Sequence, residues 1–384
     1  MMKKSLKVCM IIDGWTPIYG GGQKHVLETA KRLTKNYACE IDLYVRSLKD
    51  EQGKKSKKNE NYGKFKIFRV GPCTKFFNIF GRILWLMYVV PFMIKNHILN
   101  PYDVIHSHAF LAAIPAKILS FFIRRPVIYT VHGTSLFIPK KTIFAYLENK
   151  LLCQFKYDQE ITVAKNFLNL PNRNKNIVVI PNGVDVKKFD RIKEKKSKKF
   201  KVIYVGRFDK IKGIDELISA IELIKKTNIE VYLIGSGDEE MKIKERIEKA
   251  KLKNHIKLRG CIKGNALIKE YKSSQLFVLP SLSEGQPLTL LEAWAAKLPV
   301  LVTKVGDNEE FVKEGENGHL VDPGNSEQLA KKLNMINDLY IKNPKKLEKM
   351  GENGYELVRK NFTWEKTTQK IFDQYQKIIK RRKK

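Results

Sequence analysis

Acid is what this chain lacks. Its 40 Asp and Glu face 73 Lys and Arg, a formal charge of +33, so anionic surfaces would attract it. Cysteine is scarce too: Cys9, Cys39, Cys73, Cys153 and Cys261 are odd in number, scattered, and never spaced C-x-x-C. That pattern excludes a disulfide framework and the usual zinc spacings, and it fits a reducing cytoplasm. No Asp-x-Asp occurs anywhere, so a diphosphate clamped through a metal ion has no evident holder. The G-x-G-x-x-G fingerprint and the P-loop are absent as well. Residues 1–7 lead straight into the short apolar run Val8–Ile12, which is too brief for a secretory signal.

Long apolar runs are nearly absent. Residues 76–94 come closest, but Arg82 interrupts them and Pro91 is expected to break or kink a helix, leaving residues 83–94 uninterrupted. That length points first to a core or domain-surface helix, then to an interfacial one, and least to a membrane span. The basic residues cluster at 54–58, 193–201 and 377–384 with few interleaved aromatics. No helix-turn-helix, zinc-finger or ribonucleoprotein signature accompanies them, so nucleic acid is not an expected partner. An anionic membrane face and a merely solvated lysine-rich surface remain open.

At 384 residues with 43% hydrophobic content, two domains are the default. Short apolar runs alternate with helix-length amphipathic stretches, the pattern of parallel sheets flanked by helices. One array of strand candidates runs from Lys7 to Ile180 and a second from Lys201 to Val302. Between them the charged stretch 190–200 reads as a linker. The expected domains are therefore 1–189 and 201–362, followed by a helical, basic segment 363–384.

Candidate chemistry gathers at strand ends. After Val8–Ile12 come Gly20, Gly21 and Gly22 and then helical spacing, an order in which backbone can approach a diphosphate, although a plain turn reads equally well. His106 and His108 flank Ser107 at one strand end, and His132 with Gly133 closes the next. Hydrogen bonding to a substrate or to the core is the larger expectation. A metal pair at His106 and His108 is the lesser one, and no metal is assigned. In the second array Gly206 and Arg207 follow a strand and Lys212 lies just beyond, two cations suited to a departing diphosphate. Gly235 and Gly237 mark another strand end.

Glu284-Gly285-Gln286-Pro287-Leu288 then links the strand Leu276–Leu279 to a helix with Pro287 at its first position, and Glu292 follows within that helix. Free N–H groups at the helix start suit diphosphate, and carboxylates on either side suit sugar hydroxyls. Alone, the two glutamates read as solvated helix-end charges. With Arg207 and Lys212 ahead of them they suit a nucleotide sugar.

Taken together and in order, these motifs resemble the retaining GT-B glycosyltransferases of family 4 (glycosyl transferases group 1). The resemblance runs from Gly20 to about Phe362 and includes Pro181–Asp185 and Ile234–Asp238. It implies two Rossmann-like domains facing across a cleft and transfer of a hexose from a nucleoside-diphosphate sugar, with retention, to a lipid-linked, polysaccharide or other glycan acceptor. Arg207, Lys212, His132 and Glu284 would carry the chemistry: the two cations on the diphosphate, Glu284 on the sugar, and His132 against the transferred sugar. Gly21, Gly22, Gly206, Gly237, Ile262, Gly285, Gln286, Pro287, Leu288 and Glu292 would hold the donor, with Glu292 on the ribose. No cofactor is implied. The setting would be cytoplasmic, peripheral to the inner membrane face. Three departures stand out: Lys297 where the family has glycine, Asp307 as the second residue of a Gly-Gly pair, and Ala164 for a serine. The alternatives are an epimerase or phosphorylase on the same plan, or a non-catalytic relative that binds membrane or polyanion.

Overall fold

The alternating apolar runs become two mainly parallel sheets in the computed structural model, which describes residues 5–17, 20–49, 53, 55, 59–75, 78–133, 156–169, 174–224 and 228–383. Contacts divide the chain into one unit of residues 1–182 with 364–384 and another of residues 183–363.

The first unit carries β1 (Leu6–Ile12), β2 (Cys39–Leu48), β3 (Asn59–Tyr62), β4 (Phe65–Thr74), β5 (Val104–His108), β6 (Val127–Val131), β7 (Gln159–Thr162) and β8 (Ile177–Val179), with spatial order β3-β4-β2-β1-β5-β6-β7-β8. Among these strands only β3, which was not foreseen in the sequence, pairs antiparallel. The period-2 geometry of β1 sends Val8, Met10 and Ile12 into one core and Cys9 and Ile11 into the other, so both faces of the sheet are covered. Helix α1 (Gly21–Asn36) and the C-terminal helix Trp364–Lys383 cover one face, Ile371, Tyr375 and Ile378 joining the core around Val26 and Leu33.

Helix α2 (Ile79–Leu99) and helix α3 (Phe110–Ile123) cover the other face. Of the break or kink expected at Pro91, the break does not occur: α2 runs through it for 21 residues. Trp85 and Val89 before the proline and Met93 after it are all buried in one core. Asn78 caps the helix, its side chain accepting from Gly81 N at 2.6 Å. Arg82, the interruption in the apolar run, points Nε at Asp13 Oδ2, 3.5 Å away.

The second unit carries β9 (Phe200–Val205), β10 (Ile229–Ile234), β11 (Ile256–Leu258), β12 (Leu276–Leu279), β13 (Val300–Thr303) and β14 (Gly318–Val321), all parallel, with spatial order β11-β10-β9-β12-β13-β14. Its strands are as apolar as two-sided burial requires. The stretch 190–200 is not a free linker but belongs to this unit. Phe189 ahead of it is buried, Gln275 Nε2 donates to Ser197 O at 2.7 Å, and Tyr355 OH donates to both Asp190 carboxylate oxygens at 3.1 Å. The charged side chains that suggested a linker lie outside, while the backbone beneath them is pinned. Cys9, Cys39, Cys73 and Cys261 are free thiols; Cys153 and most of the basic run 54–58 fall outside the described residues.

Candidate functional site

Each sheet changes winding direction once. In the second unit the chain passes from β9 outward to β10 and β11, then returns to the other side of β9 with β12. Loops leaving β9 and β12 at their C-terminal ends therefore diverge, the position at which open α/β sheets take ligands. Arg207 and Lys212 come from the first of these loops and Glu284 from the second.

The two loops are tied together. Lys212 Nζ lies 2.8 Å from Glu284 Oε1, and Ser281 Oγ donates to the same oxygen at 2.8 Å. Both side chains of the ion pair are largely buried, so solvent screens the pair less than it would at the surface. Leu282 N donates to Ile211 O at 2.7 Å, and Thr303 Oγ1 to Ser281 O at 2.6 Å. Gly213 closes the first loop in the left-handed region, φ +66°, and a Cβ there would stand 1.9 Å from Pro280 O. That position takes glycine because the β12 loop crosses directly beside it. Arg207 differs from Lys212 in keeping 64% of its side chain exposed, with Nη2 2.6 Å from Asp209 Oδ2.

The segment after Glu284 runs as anticipated into a helix, Leu288–Ala295, with one shift: Pro287 is the cap, φ −71° and ψ 123°, not the first helical residue. No side chain caps this start. Gln286 is buried there, as is Glu292 in the helix. Glu292 is thus no solvated helix-end charge. It accepts from the Tyr271 hydroxyl at 3.0 Å, and burial, then the Glu292 charge, push that phenol well above its usual range.

Gly206, Gly235 and Gly237 have a reason of their own. A Cβ at Gly235 would meet Gly206 O at 1.9 Å and one at Gly237 would meet Phe208 O at 2.4 Å, so the β9 and β10 exits are packed backbone to backbone. Ile262 lies half-buried on the loop beyond β11, two strands away from β9. Asp307 is accommodated because Gly306 alone carries the positive φ, +58°, against the Glu284 and Gly285 carbonyls. Lys297, by contrast, sits at φ +61°, where a glycine would be unstrained.

In the first unit the winding reverses between β1 and β5. Gly20 leads into α1, and a Cβ on Gly22 would lie 3.4 Å from the His132 ring. His132 belongs to a cluster. Its Nε2 lies 3.1 Å from His108 Nδ1, and its ring centroid is 4.7 Å from that of His25. His25 is a residue the sequence reading missed; it lies on the buried face of α1, its Nδ1 2.9 Å from Asn182 Oδ1. Burial lowers its pKa to about 4, and that of His106 to about 3; it takes His108 and His132 well down too.

His106 is no metal ligand: one ring nitrogen meets Tyr375 OH at 2.6 Å and the other Thr130 Oγ1 at 2.7 Å. The set with metal-ligand geometry is His25, His108 and His132, ligand atoms within 4.8 Å of one another. Their contacts with each other and with Asn182 already occupy part of that set.

Two family models cover the chain in tandem: Glycosyltransferase Family 4 over residues 19–188 and Glycosyl transferases group 1 over residues 185–357. An uncharacterized glycosyltransferase of Methanocaldococcus jannaschii is 33% identical over 72% of this chain and 76% of its own length. The UDP-Gal:alpha-D-GlcNAc-diphosphoundecaprenol alpha-1,3-galactosyltransferase of Escherichia coli is 30% identical over 71% of this chain and 75% of its own. The chain belongs to the group 1 glycosyltransferases. Its fold is GT-B: the sucrose-phosphate synthase of Thermosynechococcus elongatus matches it with a TM-score of 0.84 at 20% identity, covering 97% of this chain and 99% of the synthase.

For this glycosyltransferase the structure gathers Gly206, Arg207, Lys212, Glu284 and the start of the Leu288–Ala295 helix at one switch point, and Gly22 with His132 at the sheet ends of the other unit. Beyond those residues it adds Ser281, Tyr271 and His25. The only sequence signal for His25 was its place beside Val26 on the apolar stripe of α1.

Proposed function

We propose that this glycosyltransferase moves a hexose from a nucleoside-diphosphate sugar to a lipid-linked, polysaccharide or other glycan acceptor, with retention at the anomeric carbon, as a metal-independent member of family 4. The observation that carries the reading is the Lys212–Glu284 pair at the β9/β12 switch point, with Arg207 exposed beside it. A diphosphate entering there exchanges one anionic partner for another: Lys212 and Arg207 turn from Glu284 and Asp209 to phosphate oxygens, and Glu284 becomes an acceptor for sugar hydroxyls. Gly285, Gln286 and Leu288 present backbone N–H groups to the donor, and Glu292 takes the ribose. Gly21, Gly22 and His132 complete the donor contacts. Anabaena HepE, crystallised with UDP and glucose, and the Escherichia coli enzyme that uses UDP-Gal support this donor class.

In the reaction, the bond from the anomeric carbon to the phosphate oxygen breaks as an acceptor hydroxyl oxygen attacks from the same face. The hydroxyl proton passes to the departing phosphate. No carboxylate is assigned as a nucleophile; the residues orient the donor and stabilise developing charge. The diphosphoundecaprenol-linked acceptor named for the Escherichia coli relative favours a cytoplasmic, membrane-peripheral setting.

The test is nucleoside diphosphate release by the full chain across a panel of donors and acceptors, with a chelator present. Acceptor-dependent release and a product of unchanged anomeric configuration are expected. Interconversion of the donor sugar without an acceptor, or a requirement for free phosphate, would replace the proposal with an epimerase or a phosphorylase.

A further inference from the structure

Helices α2 and α3 pack side by side and share an inner core through Trp85, Val89, Met93, Ala112, Ala116 and Leu119. Their outer faces are apolar as well. Phe80 is 69% exposed, Met87 66%, Ile98 74% and Phe121 80%, with Phe122 also open to solvent. Between the helices a shallow trough of about 500 Å³ is lined by Val90, Pro91, Ile94, Lys95, Leu99 and Phe122. Single exposed apolar residues are ordinary, but a continuous patch across two helices marks an interaction surface.

The charge carried by the segment that forms these two helices is almost all of one sign. From residue 74 to residue 126 the sole acidic residue is Asp103, and its carboxylate accepts from Lys7 N at 2.9 Å, at the opposite end of β5 from α3. Lys75, Lys95 and Arg124 are exposed on or beside the helices. The C-terminal helix ends there too: Arg382 Nη1 donates to Arg124 O at 2.8 Å and its Nη2 lies 3.5 Å from Asp158 Oδ1, which brings the basic end of that helix beside the exit of α3.

We propose that this face seats the first unit on an anionic lipid surface, the outer side chains of α2 and α3 entering the boundary between headgroups and acyl chains while the rim of Lys and Arg meets lipid phosphates. By length and composition α2 could cross a membrane. Doing so would strip Trp85, Val89 and Met93 from the core they share with β1 and β5, so the helix lies on the surface instead of spanning it. A second copy of the chain is a poor occupant, because a two-fold contact sets the same cationic rim against itself. That the surface brings the protein to a lipid-linked acceptor rests on the glycosyl-transfer reading; lipid binding itself does not.

The experiment is co-sedimentation of the full chain with vesicles of phosphatidylcholine alone and of phosphatidylcholine mixed with phosphatidylglycerol. Binding should be at least about tenfold stronger to the mixed vesicles, since each basic residue near an anionic surface contributes roughly fivefold. The variants Phe121→Ser/Phe122→Ser and Phe80→Ser/Met87→Ser should each weaken binding by about tenfold or more, through lost apolar burial. These side chains are exposed, so circular dichroism and the nucleoside diphosphate thermal shift should match the parent. Variants that sediment like the parent, or a parent indifferent to phosphatidylglycerol, would overturn the proposal. So would a parent dimer that ignores vesicles and becomes monomeric in the variants. Loss of the nucleotide shift with vesicle binding intact counts instead against the glycosyl-transfer reading.

Discussion

Lys212 and Glu284 stand 72 positions apart in sequence and 2.8 Å apart in space, so neither can be removed without leaving the other in a largely buried site without this partner. Lys212→Ala and Glu284→Ala should each lower kcat/KM by about 10²- to 10³-fold, the range for losing one charge-stabilising contact. The double variant should fall well short of the product of the two losses, because the residues act as a unit. Fully multiplicative losses would separate their roles. Arg207→Ala should lower kcat strongly with little effect on melting temperature, since its side chain is mostly in solvent.

The histidine cluster predicts a pH dependence. Burial holds His25 down to about 4 and His106 to about 3, below the ordinary value of 6.5, so the folded chain keeps both neutral where the unfolded chain protonates them. Stability from each is complete above about pH 6.5 and declines as pH falls toward its folded value, by up to about 1.4 kcal/mol per pH unit per proton. Urea unfolding at pH 7 and pH 5 should show the decline, and His106→Gln should flatten its slope. An unchanged slope would mean that His106 does not titrate differently in the two states.

At the scale of elements, what the sequence shows depends on how local the cause is. Leu276–Leu279 is a strand at the boundaries its apolar run suggests, because two-sided burial in a parallel sheet leaves a continuous apolar signature. The edge strands β3 and β14 carried no comparable signal and were not foreseen. Pro91 misled for a related reason: its local effect is to break a helix, and packing on both sides overrode it. Gly354 shows how closely two elements can approach, since a Cβ there would stand 1.9 Å from Trp294 Cδ1. Gly354→Ala should therefore destabilise the second unit by about 1–3 kcal/mol, the usual cost of overpacking, measurable by urea unfolding.

At the scale of the whole molecule, the proposed function puts the nucleotide in the second unit. A matching nucleoside diphosphate should raise the melting temperature by mass action and protect amides at 206–213 and 281–292 from hydrogen exchange. His106→Gln, in the first unit, should leave that protection intact.

The sequence alone determined the α/β class, the two arrays, the strand-end positions of Gly206, Arg207, Lys212 and Glu284, and the place of Glu292 in the following helix, because periodicity and turn chemistry are local. Strand order was decided only by the tertiary structure. Placing β12 beside β9 is what brings Glu284 to Lys212, and placing α1 against the ends of β5 and β6 is what gathers His25, His108 and His132. The same holds for α2, whose composition shows apolar residues on every side while only packing selects which of them meet the core and which meet solvent. Contacts between distant segments are chosen by the fit of whole elements, and no short window of sequence contains that choice.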